Sequence, residues 1–281
     1  MSATNPFLDP ARQPELYGHA SRLVGRSNAL MRAKTSGRPV PDTIAELVRD
    51  HHERPGRLGL ALDLGCGRGT STLTLARELR PSLVVGLDAA PALLELARRR
   101  SRRVPGLPVS FLQGDFHQLP VPAGSCDVIV AAFCLYHSPR PQAVIADIDR
   151  VLAPDGLAVL VTKGLDSYRE MDQLVAAGGL DARAEQHESL YASAHSGNLA
   201  RLAATSLDVL AAEDEEHAFT FDGHDHLADY LATSPKYHLS PGLYGNPSAI
   251  AAALHTFLPD RPFTTSSLVT FVVARPRGGR P

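Results

Sequence analysis

LGLALDLGCGRGTSTLTLA, residues 58–76, places an apolar run, then glycines at alternate positions 65, 67 and 69, then a segment of helical pattern. A strand that turns through such a loop into a helix presents backbone amides and a helix N-terminus to a ligand at a range where a Cβ would intrude. A dinucleotide-binding G-x-G-x-x-G loop would carry its third glycine at position 70, one residue later than Gly69. Asp63 stands two residues before the first glycine. A carboxylate there repels a pyrophosphate and favours an ammonium group. The stretch therefore calls for a ligand with an amino-acid end.

Outward from this loop, short apolar runs alternate with amphipathic stretches. Strands are expected at Leu58–Leu64, Leu83–Leu87, Val109–Gln113, Cys126–Ala132 and Leu157–Thr162, and helices at Thr72–Glu78, Pro91–Arg100 and Pro141–Leu152. The last two helices open with proline, whose missing N–H costs nothing in a first turn. Alternation of this kind predicts an α/β fold with a doubly wound, mostly parallel sheet, helices on both faces, and ligands at the carboxyl ends of the strands. Two later strands, Thr205–Phe221 and Phe263–Ala274, flank helical patterns at Asp225–Thr233 and Pro247–Leu258. They bring the expected total to seven strands, with a helical cap at about 223–260 inserted between the last two.

The bulk properties narrow the partners. At 281 residues and 44% hydrophobic, the chain can bury a large core as one domain with a cap. A net charge of -2 gives no global basic field for a polyanion. No apolar stretch of about 18 residues and no basic-then-apolar N-terminus is present, so a cytoplasmic protein without membrane partners is expected. Cys66, Cys126 and Cys134 form neither a disulfide framework nor a zinc pattern.

The motif Asp63-Leu64-Gly65-Cys66-Gly67-Arg68-Gly69 resembles the first motif of class I S-adenosylmethionine-dependent methyltransferases. VVGLDAAP, FLQGDFHQLPVPAGSCDVIVAAF, CLYHSP and RVLAPDGLAVLVTKG continue in an order similar to the branch that includes quinone-biosynthesis and natural-product enzymes. The likeness covers about residues 56 to 164 and implies a Rossmann-like fold with S-adenosyl-L-methionine as cofactor. By that resemblance, Asp88 binds both ribose hydroxyls, Asp115 reads the adenine amino group, and the backbone of Phe116 contacts the ring. Asp63, Gly65, Cys66, Gly67, Gly69 and Ala89 line the remaining cofactor surface, Phe133 lies near the methionine end, and Tyr17 closes from the N-terminal helical lid, residues 1–55. Residues 165–281 then complete the sheet and carry the cap.

Methyl transfer is an in-line displacement at an activated carbon, so alignment supplies much of the catalysis. A base is required only where the acceptor holds its proton. His137, directly after the fourth strand, is the candidate, because imidazole titrates near neutrality. Its bland alternative is a passive pocket wall. His19, Tyr230, Tyr237, His238 and Tyr244 combine aromatic faces with polar tips and are candidates for holding the acceptor; packing of the cap on the sheet is the alternative. In FDGHDH, the crowding of Asp222, His224, Asp225 and His226 reads as a helix N-terminus, so no metal is expected. The run RRRSRR, residues 98–103, reads as a solvated helix end.

The expectation is therefore a methyltransferase for a small, partly apolar metabolite in secondary metabolism, O-methylation slightly favoured over N- or C-methylation, acting as a monomer or homodimer without nucleic-acid partners. An RNA methyltransferase is the alternative enzyme. A regulator or cyclase that binds the cofactor without methylating is the alternative of another class.

Overall fold

The computed structural model describes residues 5–278. Its strands are β1 Leu60–Leu64, β2 Leu83–Asp88, β3 Val109–Gln113, β4 Cys126–Ala132, β5 Leu152–Lys163, β6 Leu207–Phe221 and β7 Phe263–Pro276. The α-helices are α1 Gln13–Tyr17, α2 Ala20–Ala33, α3 Val40–His51, α4 Thr70–Glu78, α5 Pro91–Ser101, α6 Pro141–Val151, α7 Arg169–Ala177, α8 Leu199–Ala203, α9 His224–Leu231 and α10 Pro247–Phe257. The sheet order is β3-β2-β1-β4-β5-β7-β6, with β1 to β5 parallel and β7 antiparallel to β5. The expected mostly parallel seven-stranded α/β sheet is thus the one observed.

The described chain forms two compact units. The nucleotide-fold unit comprises Arg38–Gly164, Tyr191–Asp214 and the chain from Val269; the cap unit comprises the chain up to Gly37, Leu165–Leu190 and Glu215–Leu268. In the nucleotide-fold unit, Ala61, Val84, Val128, Val130, Val159 and Val161 pack with Ile44, Leu47 and Val48 of α3 and Leu75 of α4. Their alternates along the strands, Leu62, Leu64, Ile129 and Leu160, are also fully buried, so both sheet faces are covered. This explains why β1 and β4 read as nearly continuous apolar runs. β3, at the sheet edge, is mostly exposed or half-buried. β5 begins five residues earlier than its apolar core suggests, because Leu152 pairs with Cys126 ahead of an irregularity that returns to register at Leu157.

The cap unit is assembled from three separate segments. Its core gathers Phe219 and Phe221 of β6, Met171 and Val175 of α7, Leu227, Tyr230 and Leu231 of α9, and Ile250 and Leu254 of α10. The N-terminal segment divides: α1 and α2 belong here, whereas α3 belongs to the nucleotide-fold core. α1 and α2 are separated at Gly18, whose N–H closes α1 on the Pro14 carbonyl, and at His19, which is extended. Among the described residues, no helix is long and apolar enough to cross a membrane.

Candidate active site at the carboxyl ends of β1, β2 and β4

The sheet order reverses between β1 and β4, the place where open parallel sheets bind ligands. In-register pairing carries Asp63 opposite Gly86 and Leu64 opposite Leu87, so the strand ends and their following loops converge. Gly65, Gly67 and Gly69 all have left-handed backbones, φ 60°, 53° and 74°. Two of them are also demanded by packing. A Cβ on Gly65 would meet the Cys134 Cβ at 2.5 Å, and one on Gly69 would meet the Ala97 Cβ and the Phe111 ring at 3.1 Å. Glycine serves here for close approach of protein to protein as well as for the turn. Cys66 donates its N–H to the Leu87 carbonyl at 3.0 Å and packs its side chain inward, and burial pushes its thiol pKa up, as it does for Cys134. All three cysteines are free and buried.

Three carboxylates stand at or just beyond the carboxyl ends of β1, β2 and β3. Asp63 is 2% exposed and accepts the Thr72 hydroxyl at 2.6 Å; burial raises its pKa to about 7, against the Thr72 hydrogen bonds. Asp88 accepts the Gly67 N–H on Oδ2 and the Ala90 N–H on Oδ1, both at 2.8 Å, which leaves each oxygen a further lone pair. Burial raises its pKa, opposed by those two N–H groups. Asp115 is more open. Its Oδ1 accepts the His117 N–H at 2.9 Å and contacts the His117 Nδ1 at 2.6 Å. Partial burial would raise its pKa, but the His117 contacts outweigh it and the net shift is downward. Ala89 is exposed, with its carbonyl 3.3 Å from the Gln113 amide, and Phe116 stacks on His117 at 4.6 Å.

At the end of β4, Phe133 adopts φ 57° and donates its N–H to the Val161 carbonyl at 2.9 Å. A bulky residue in this region stores backbone strain of about 1–3 kcal/mol, of the sort that collects at functional sites. His137 closes the following turn, Leu135–His137, half-buried and with its ring 4.8 Å from that of Tyr136. Two residues of this region were not anticipated. Lys163, at the end of β5, has Nζ 5.4 Å from the Phe133 ring centroid and 5.8 Å from that of Tyr191, which also packs edge-on against Tyr136. A signal existed for Lys163, one of three lysines in a chain with 28 basic residues. None existed for Tyr191, which lies outside the β/α rhythm. His117 could have been found from its place beside Asp115.

The remaining candidates fall in the cap unit. Tyr230 is 7% exposed and packs against Tyr168 and Phe221; Tyr237 is 5% exposed and donates its hydroxyl to Asp172 at 2.9 Å. Both are core side chains of the cap unit. Tyr244 is 40% exposed, is bonded to Glu15 and Arg22, and has the Arg22 guanidinium 4.8 Å from its ring centroid. His19 and His238 are exposed and Tyr17 is half-buried. In the run at 98–103, Arg98 donates to the Phe111 carbonyl, Arg99 to Glu95, and Arg100 to the Arg68 carbonyl and the Thr70 hydroxyl at 2.7 and 2.9 Å. These arginines brace the glycine loop and β3 more than they offer a phosphate-binding patch.

Residues 62–160 match the family described as a methyltransferase domain. The chain is 32% identical over 181 residues to a malonyl-[acyl-carrier protein] O-methyltransferase of Laribacter hongkongensis, covering 62% of this chain and 57% of that protein. It is 38% identical over 99 residues to a demethylmenaquinone methyltransferase of Tropheryma whipplei, covering 35% of this chain and 39% of that protein. The chain thus spans less than two thirds of the length of either relative. In fold, it is similar to the crystal structure of the [4+2]-cyclase SpnF, with a TM-score of 0.55 at 19% identity over 92% of this chain and 97% of that one.

Proposed function

We propose that the protein is an S-adenosylmethionine-dependent methyltransferase acting on a small, partly apolar metabolite, a reading supported by the match of residues 62–160 to a methyltransferase domain and by the motifs from Asp63 to Asp115. The observation that carries the reading is the set of three carboxylates at the carboxyl ends of successive strands, two of them, Asp63 and Asp88, bonded at the glycine loop and the helix that follows it. Asp88, with a lone pair remaining on each oxygen, suits two ribose hydroxyls. Asp115, held ionised by His117 and with Oδ2 open, suits an amino group of an adenine. Asp63, buried and poised near neutrality, suits the ammonium of an amino-acid end. The donor set fits the cofactor, which when bound supplies an electrophilic methyl group on a sulfonium. His137, in the turn after β4, takes the proton of an acceptor hydroxyl, and this is why O-methylation is favoured. Phe133 and Lys163 wall the same strand ends.

Against the RNA methyltransferase reading, Arg98, Arg99 and Arg100 of the basic run are engaged within the fold. A non-methylating cofactor binder remains the second reading, favoured by the likeness in fold to a cyclase.

Calorimetry on the folded chain tests the cofactor. S-adenosylmethionine should bind, and Asp88→Ala should weaken it at least tenfold, since charge-assisted hydrogen bonds contribute about 1.5–3 kcal/mol each. Unchanged affinity in Asp88→Ala, or micromolar binding of a nicotinamide dinucleotide, would overturn the assignment. Mass spectrometry after incubation with phenols, amines and carboxylic acids tests transfer, and tight cofactor binding with no methylated product would favour the second reading. With an acceptor in hand, His137→Ala should slow methylation by roughly 10² without weakening the cofactor.

A further inference from the structure

The cap unit contains a cluster that the methyl-transfer reading does not use. His224 opens α9, His255 lies in the last turn of α10, and Asp260 follows that helix. The Nδ1 atoms of the two imidazoles face each other at 3.2 Å, and the Asp260 Oδ1 is 3.9 Å from the His224 Nδ1. A tetrahedral ion with bonds of about 2.0–2.1 Å sets neighbouring ligand atoms about 3.3–3.4 Å apart. The imidazole pair already stands at that spacing, and the exposed Asp260 side chain closes the difference with a small rotation. The position of Asp260 is further set by the His224 N–H, which donates to it at 2.9 Å.

The crowding in FDGHDH had no metal to serve as long as His226 was the partner of His224. His226 points elsewhere: its Nδ1 accepts the Asp222 N–H and its Nε2 meets the Ala29 carbonyl at 3.0 Å. The partners of His224 come from 31 and 36 residues further along, brought in by the packing of α10 on α9. A second cluster, Asp181, His187 and His238, is less apt, because one carboxylate oxygen already holds both the His187 Nε2 at 2.6 Å and the His238 N–H at 2.7 Å.

We propose that His224, His255 and Asp260 form a binding site for a borderline divalent metal ion of the zinc class that staples the start of α9 to the end of α10. Two neutral imidazoles and one carboxylate are the donor set that suits such an ion, and three protein ligands leave a fourth position to water. His224 is buried, so the ion is held from the protein side, while His255 and Asp260 are exposed and give it an entry path. The ion cross-links the cap unit through a loop of chain and binds the folded state only, so it raises the melting temperature with its concentration. This site is independent of the methyl-transfer reading.

The test is a cobalt(II) titration of the untagged full chain, followed by visible absorption. One equivalent should give the intense d–d bands of a tetrahedral site, zinc should displace them, and zinc should raise the melting temperature. His255→Ala and Asp260→Asn, both at exposed positions, should weaken binding by tenfold or more while leaving the circular dichroism spectrum unchanged; His187→Ala should leave the titration as it is. Absence of a one-equivalent cobalt spectrum in the folded protein overturns the proposal. A spectrum that survives in His255→Ala or disappears in His187→Ala also overturns it.

Discussion

The two units differ in how their chains are written. In the nucleotide-fold unit, strands and helices alternate: β1 leads into the glycine loop and α4, β2 into α5, and β1 to β5 pair in parallel. In the cap unit, three segments far apart in sequence make one core, where Ala29 and Ala33 of α2, Tyr168 just before α7, Phe219 and Phe221 of β6 and Tyr230 of α9 are gathered. The first kind of unit keeps its ligand-binding residues next to the elements that position them. The second kind disguises its roles, because an aromatic side chain that must fill a core and one that must meet a ligand look alike in sequence.

The comparison can be broken from the cap side. Tyr230→Ala removes a buried aromatic ring and should lower the unfolding free energy by about 3–5 kcal/mol, measured by denaturant melts. Cofactor affinity, measured where the variant is still folded, should change little. A loss as large as that of Asp88→Ala would mean that the cap core and the cofactor site are not separable.

Asp63 sharpens the other side. Its folded pKa, about 7, lies above the ordinary carboxylate value of 3.8, so the folded state holds a proton between these values that the unfolded state has lost. The stability associated with this group is therefore full below about pH 4 and falls away as pH rises through 7, by up to about 4 kcal/mol at 1.36 kcal/mol per pKa unit. Asp63→Asn should melt higher than the parent at pH 8 and similarly at pH 4, while binding S-adenosylmethionine more weakly. Calorimetry near pH 6.5 in two buffers of different ionisation enthalpy should detect proton release on binding, absent in the variant. A parent protein whose affinity is flat between pH 6 and 8 would refute the idea that Asp63 waits for a cation.

The smallest effect is expected at Tyr237. Tyr237→Phe removes the hydroxyl bonded to the buried Asp172, which keeps Lys236 as its partner, so the loss should be about 1–2 kcal/mol with no change in methylation rate. A large fall in rate with unchanged stability would return Tyr237 to the acceptor site.

The sequence by itself determined the order of β1 to β5 with α4, α5 and α6, the glycine loop and the places of Asp63, Asp88 and Asp115 along the chain, because period and turn chemistry are local and a strand end carries its own loop. It also located β6 and β7 within two residues at each end. It placed α3 in a lid, because the short apolar set Ile44, Leu47 and Val48 says that a face is buried and is silent on what it is buried against. Tertiary structure alone decided that Tyr230 and Tyr237 fill a core, that Arg100 braces the loop of Arg68 and that Lys163 meets both Phe133 and Tyr191. It also joined His224 to His255 in place of His226. Each of these depends on which distant surface a side chain meets, and that follows from the packing of whole elements rather than from any spacing along the chain.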